Sequence, residues 1–313
     1  MRAVVFDGSL RFDPDRAMPA PGDNELLVRV TTCGICNTDL EIIKGYGGFA
    51  GVPGHEFCGI VESAGPLQGK RVVGEINLGC GKCLMCDNGL QNHCPERTVL
   101  GIVGKDGAMA DYLTLPLENL HPIPDPVSDE EAVFVEPLAA AMQVVEQVKP
   151  RPDDRVLVMG DGKLGLLCAM ALGLSCQEVT LSGKHPGKME IARTHGIHAV
   201  HKDGLNEAFD LVVEATGAEG GLAEALRWVR PRGTVVLKST VAEQSRLHLF
   251  PVVVNEVTIV GSRCGPFPRA IDALAERSID VGSLISARYP VEDALAAFAC
   301  AAAKETLKVI LKF

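Results

Sequence analysis

Aromatic side chains are scarce, at 4% of 313 residues with a single tryptophan and three tyrosines. That scarcity disfavours a site built for stacking large rings. Positive charge is also in deficit: 30 Lys and Arg stand against 40 Asp and Glu, for a net charge of −10. An acidic chain is not drawn to phosphate backbones or anionic lipid, so neither nucleic acid nor a membrane surface is an expected partner. Long apolar runs are missing as well. The longest, Leu164 to Cys176, is too short to cross a bilayer, and the opening Met1-Arg2-Ala3-Val4-Val5 has no signal-like hydrophobic stretch. The expectation is a cytoplasmic protein.

Cysteine, by contrast, is plentiful. Eleven thiols in a chain without signs of export are not expected to settle as structural disulfides, and an odd count does not suit a fully paired framework. A length of 313 exceeds what one hydrophobic core normally serves, so two domains are expected. The first 135 or so residues are short apolar runs such as Leu26-Leu27-Val28-Arg29-Val30, broken by Gly, Pro, Asp and Asn, which predicts a β-rich region. From about Pro137 helical patterns alternate with the continuous apolar runs Val156–Met159, Val179–Leu181, Leu211–Val213, Val235–Leu237 and Val257–Val260. Strands buried on both faces and separated by helices predict a parallel α/β sheet. After Gly265 a helical stretch from Ala270 to Arg277, another from Val291 to Lys304 and a strand from Leu307 to Phe313 would return to the first domain.

Three motifs carry chemistry. Cys80, Cys83, Cys86 and Cys94 stand in the pattern C-x2-C-x2-C-x7-C, whose four thiolates can close a tetrahedral cage around zinc with no position left for chemistry. A redox or disulfide cluster is the alternative. Dispersed through the first domain are Cys36, His55 with Glu56, and Glu136. One thiolate, one imidazole and one carboxylate leave a zinc ion open to a fourth ligand, as catalysis requires. Taken singly, a buried histidine or a small apolar cysteine would be ordinary. The third motif, Gly160-Asp161-Gly162-Lys163-Leu164-Gly165, follows an apolar strand and opens an apolar helix, which is the context in which G-x-G-x-x-G binds a dinucleotide pyrophosphate.

These motifs in this order resemble the zinc-containing medium-chain alcohol dehydrogenase family over nearly the whole chain. The resemblance implies a doubly wound Rossmann sheet over 138–265 and a β-rich GroES-like catalytic domain over 1–137 and 266–313, with a structural zinc lobe near 78–97. It implies that Cys36 and His55 are catalytic zinc ligands, that Glu56 approaches the metal or exchanges onto it, and that Glu136 takes the third-ligand place, as in the polyol and sugar dehydrogenase branches. Thr38 matches the hydroxyl that passes on the substrate's proton, and Asp39 the partner of the ligand histidine. Two zinc ions per chain, hydride exchange between an alcohol or carbonyl substrate and NAD(P), and a homodimer or homotetramer follow. Glu41 stands where some relatives have a histidine. The remaining cysteines, Cys33, Cys58, Cys168, Cys176, Cys264 and Cys300, are expected to be core thiols.

An NAD-preferring site places an acid about 20 residues past the glycines, at the end of the second strand. Gly183 stands there instead, flanked by Ser182, Lys184 and His185, with Lys188 beyond, a charge pattern that suits the 2′-phosphate and predicts NADP over NAD. Solvated loop charges and use of either cofactor are the alternative. Ala215, Thr216, Lys238 and Arg263 end later strands and would line the cofactor site, with Lys238 hinting at a polar or acidic substrate. The competing functions are a zinc-free quinone or enoyl reductase, which would not need Cys36, His55 and Glu136 together, and a noncatalytic NADP- or zinc-binding protein on the same fold.

Overall fold

The computed structural model describes residues 1–240 and 248–313. They divide into two compact units, Met1–Glu136 with Ile271–Phe313, and Pro137–Ala270. The sequence-based edge at Gly265 therefore moves into the helix Phe267–Ala275.

The first unit is built on seven strands in the spatial order Leu120–Pro122, Arg71–Gly74, Glu56–Val61, Glu25–Ile35, Lys308–Lys312 and Ile285–Pro290, with Tyr112–Pro116 also paired to Glu25–Ile35. At eleven residues, Glu25–Ile35 is long enough to take three antiparallel neighbours, and its Val28, Val30 and Ile35 are buried. The register sets Gly34 opposite Glu56 on one side and Ile310 on the other. The expected strand near Leu307–Phe313 thus forms as Lys308–Lys312 within the first unit's sheet. Ile285–Pro290 escaped the sequence reading because alternate residues, including Arg288, face solvent and leave no apolar run.

Glu130, in the short helix Asp129–Ala132, accepts a forked hydrogen-bond pair from Arg288 at 2.9 and 2.7 Å and pairs with Lys312 at 2.8 Å. The Arg288 hydrogen bonds, joined by Lys312, hold its carboxyl at about 2, down from an ordinary 4.5. A carboxyl depressed in the folded state stabilises above its unfolded value, and that stability drains away as pH falls from about 4.5 toward 2. Glu130→Gln is expected to lower stability near neutrality by about 1 kcal/mol or less, the side chain being partly solvated, and to flatten acid unfolding across that window. Denaturant midpoints measured across the acid range check this.

The second unit holds six parallel strands in the order His198–His201, Glu178–Gly183, Arg155–Met159, Phe209–Glu214, Val229–Leu237 and Thr258–Gly261. Numbered by sequence the order is 3-2-1-4-5-6, that of a doubly wound dinucleotide-binding sheet, and it reverses direction between Arg155–Met159 and Phe209–Glu214. Leu157, Val212 and Val235 from three adjacent strands are fully buried, which accounts for the continuous apolar runs. His198–His201 was not read as a strand, since a four-residue edge segment with histidine at both ends lacks that signal. Among the described residues no helix is long and apolar enough to cross a membrane.

Candidate active site, cysteine lobe and cofactor loop

The strand Glu25–Ile35 runs into Cys36, and the helix Asn37–Ile42 begins immediately after it. Fully buried Asp39 accepts a hydrogen bond from the Cys36 N–H at 2.7 Å and from the Gly54 N–H at 3.2 Å. One carboxylate therefore ties the thiol to the loop carrying His55, whose Nδ1 lies 3.5 Å from Asp39 Oδ1. Ligand atoms of Cys36, His55 and Glu56 all lie within 4.8 Å of one another. His55 Nδ1 and Glu56 Oε1 are buried without a hydrogen-bond partner. Burial disfavours the His55 imidazolium, yet Asp39 and Cys36 outweigh it and raise the pKa well above its usual value. A pocket that draws positive charge against burial, lined by a thiol, an imidazole and a carboxylate, fits a zinc ion.

Thr38 is half-buried with Oγ1 3.8 Å from Cys36 Sγ, while Glu41 is exposed and paired with Lys44 at 2.9 Å. Glu136 stands outside the compact trio, half-buried in the first turn of the helix Val135–Val148. Its charge acts on Lys308, a residue that sequence reasoning missed. Lys308 is fully buried, its ammonium bonded to Glu56 Oε2 and 5.4 Å from the centre of the Phe134 ring. Burial works against that ammonium, but Glu56 and Cys36 restore it and raise its pKa. Gly34 makes room for the pair: a Cβ there would stand 2.8 Å from Glu56 Oε2 and 2.6 Å from Val133 Cγ1.

Cys80, Cys83, Cys86 and Cys94 form the second cluster within 4.8 Å. Sγ of Cys83 lies 3.6 Å from that of Cys86 and 3.7 Å from that of Cys94. Zinc–sulfur bonds of about 2.3 Å in a tetrahedron set sulfurs about 3.8 Å apart, so the lobe has nearly the dimensions of a filled site. The N–H of Cys86, joined by its neighbours, holds Cys83 down at about 7. Cys80 reaches about 11: the Lys82 N–H favours its thiolate, but desolvation and the other three sulfurs outweigh it. Only a cation would hold all four as thiolates at this spacing, which fits zinc. All eleven cysteines are free thiols, and of the six without a motif Cys264 and Cys300 are only partly buried, contrary to the expectation of core thiols.

In the second unit the strand Arg155–Met159 ends at Gly160 and the helix Lys163–Gly173 starts after Gly162. A Cβ on Gly165 would lie 1.9 Å from Gly160 O, so only glycine lets helix and turn meet. Gly162 is exposed with open space where its Cβ would be, which leaves the helix start approachable and fits a pyrophosphate. Lys163 is buried, Leu164 half-buried, Ala215 half-buried and Thr216 exposed. Lys238 is buried rather than facing a substrate: its ammonium donates to Ala140 O at 2.7 Å and Arg263 O at 2.8 Å, pinning backbone. The Arg263 side chain is exposed. Ser182 and Lys188 are buried, and Lys184 is exposed. The expected lack of an acid beside Gly183 does not hold, because Asp161, from between the glycines, brings its carboxylate there.

Against known families, residues 22–125 match the alcohol dehydrogenase GroES-like domain and 129–313 the glucose dehydrogenase C-terminus. D-arabinitol dehydrogenase 1 of Uromyces fabae is 30% identical, the alignment covering 100% of this chain and 97% of that one. The short chain alcohol dehydrogenase RspB of Escherichia coli CFT073, solved with its cofactor NADH, superposes with a TM-score of 0.93 at 28% identity, covering 100% and 99% of the two chains. A protein of Sinorhizobium meliloti 1021 described as a zinc-binding dehydrogenase, solved bound to NADP, gives 0.89 at 28%, covering 100% and 99%. The chain belongs to the zinc-dependent medium-chain alcohol dehydrogenase family, in its polyol and sugar dehydrogenase branch. It is an oxidoreductase of alcohols.

Proposed function

We propose that this chain interconverts a polyol- or sugar-type alcohol and its carbonyl with NAD(P), at a zinc held by Cys36, His55 and Glu56, and that a second zinc braces Cys80, Cys83, Cys86 and Cys94. The approach of the Cys36, His55 and Glu56 ligand atoms to within 4.8 Å is the observation that carries the reading. A zinc ion held here would supply Lewis acidity that lowers the proton affinity of an alcohol oxygen, and a bound nicotinamide would supply the hydride acceptor. Asp39 holds Cys36 and the His55 loop in register, which fixes the ligand angle. Thr38 Oγ1, beside Cys36 Sγ and half-buried, would accept the alcohol proton while its own hydroxyl proton leaves to solvent water. Glu136, the carboxylate that the family resemblance favours, shares the Lys308 charge with Glu56 and is the second candidate for the third ligand.

Elemental analysis is expected to give two zinc ions per chain, with Glu56→Gln lowering occupancy of the more readily chelated one further than Glu136→Gln does. A cofactor-reduction screen over polyols, aldoses, hydroxy acids and simple alcohols tests the activity. Failure with every class by a protein carrying both zincs would leave a noncatalytic binder. The chain is also proposed to be a homodimer or homotetramer, supported by the edge position of Thr258–Gly261 beside exposed Phe250, Val253 and Val254.

A further inference from the structure

A Cβ built on Gly183 would stand 2.5 Å from Asp161 Oδ2 and 2.7 Å from Asp161 Cβ, so the Asp161 side chain occupies the space where a residue-183 side chain would begin. Asp161 is 6% exposed. Its Oδ2 accepts the N–H groups of Lys184 and His185, both at 2.7 Å, and its Oδ1 accepts His185 Nδ1–H at 2.9 Å. An ionised carboxylate only accepts, which assigns the hydrogen to Nδ1. Burial pushes the Asp161 pKa up, but the His185 ring and the His185 and Lys184 N–H groups outweigh it and hold the value below its ordinary one.

Two successive backbone N–H groups and an imidazole N–H make a nest for an anion. The chain fills this nest with an anion of its own. In a dinucleotide-binding sheet the end of the second strand is where an acid receives the ribose hydroxyls of NAD, or where free donors and a cation receive the 2′-phosphate of NADP. Resting on the NAD(P)-linked reading, we propose that Asp161 replaces the missing strand-end acid and makes the site select NAD over NADP. The donors that a phosphate would use are taken, and Oδ1 keeps a lone pair for a ribose hydroxyl. Exposed Lys184 pulls the other way, but its charge is screened by salt and water while the buried carboxylate is screened far less.

Calorimetric titration of the full protein with 5′-AMP and 2′,5′-ADP, which differ only in the 2′-phosphate, isolates this contact. The wild type is expected to bind 5′-AMP the more tightly. Asp161→Asn, equal in size but neutral, is expected to shift the ratio toward 2′,5′-ADP at least tenfold. His185→Asn breaks the same Asp161–His185 pair but keeps the carboxylate, so its ratio stays or moves further toward 5′-AMP. A loop-holding role alone would move both variants in the same direction, which overturns the proposal, as does a wild type that prefers 2′,5′-ADP or an Asp161→Asn ratio that does not move. Should Asp161→Asn fail to fold, Asp161→Ser keeps an acceptor for the N–H groups and carries the same expectation. A wild type that binds NAD, NADP and both nucleotides not at all refutes the NAD(P) reading itself, and the selection with it.

Discussion

Replacing Lys308 by methionine is expected to cost about 3–5 kcal/mol of folding stability, because it strands the carboxylate of Glu56 without its partner in a place with 1% exposure. The cost comes less from a lost attraction than from the uncompensated charge left behind. Two controls separate these. Lys308→Met with Glu56→Gln removes both charges and is expected to recover most of the loss, since a buried pair replaced together by neutral groups is often close to neutral in stability. The single variant is also expected to be hurt more after chelation than with zinc bound, a second cation beside Glu56 easing the deficit. Denaturant unfolding of the three proteins, with and without chelator, reads both comparisons. A single-variant loss below about 1 kcal/mol would mean that the ammonium is not desolvated as the structure has it.

Cys36→Ala and His55→Ala are each expected to lower alcohol oxidation by about a thousandfold or more, several kcal/mol of transition-state stabilisation being lost with the metal. Of the two zinc ions proposed above, one should be lost and the other kept. NAD(P) binding is expected to change little, since the glycine loop Gly160–Gly165 belongs to the other compact unit. Asp39→Asn should act more mildly, by about 10- to 100-fold in metal affinity or activity, as it touches the site through Cys36 and the His55 loop. Metal content, steady-state rates and cofactor titration of the same preparations check the set. A Cys36→Ala protein with full activity would remove the zinc reading.

The cysteine lobe and the glycine loop were legible because each is a local pattern whose spacing already encodes its geometry. The parallel sheet was legible because strands buried on both faces leave continuous apolar runs. Cys36, His55 and Glu56 were legible only as fragments, and the sheet register that sets Gly34 opposite Glu56 joins them. Lys308 was not. A lysine at the head of an apolar strand ordinarily points to water, and its carboxylate partner lies 252 positions away. Asp161 left a faint signal, a charged residue between two glycines of a phosphate-binding turn, but its reach to Gly183 depends on how adjacent strands are placed. Lys238 misled for the opposite reason: a cation after a strand looks available until its backbone partners are seen.

That long separation between Lys308 and Glu56 sets an order on the birth of the molecule. During synthesis the residues from Met1 to Glu136 emerge first with a sheet that still lacks Ile285–Pro290 and Lys308–Lys312. The second unit, continuous from Pro137 to Ala270, has its six described strands at hand and can close while the first one waits. Glu56 must pass that interval hydrated, protonated or on a metal ion. Under the proposed function, a zinc ion held by Cys36, His55 and Glu56 would balance that carboxylate before Lys308 joins it.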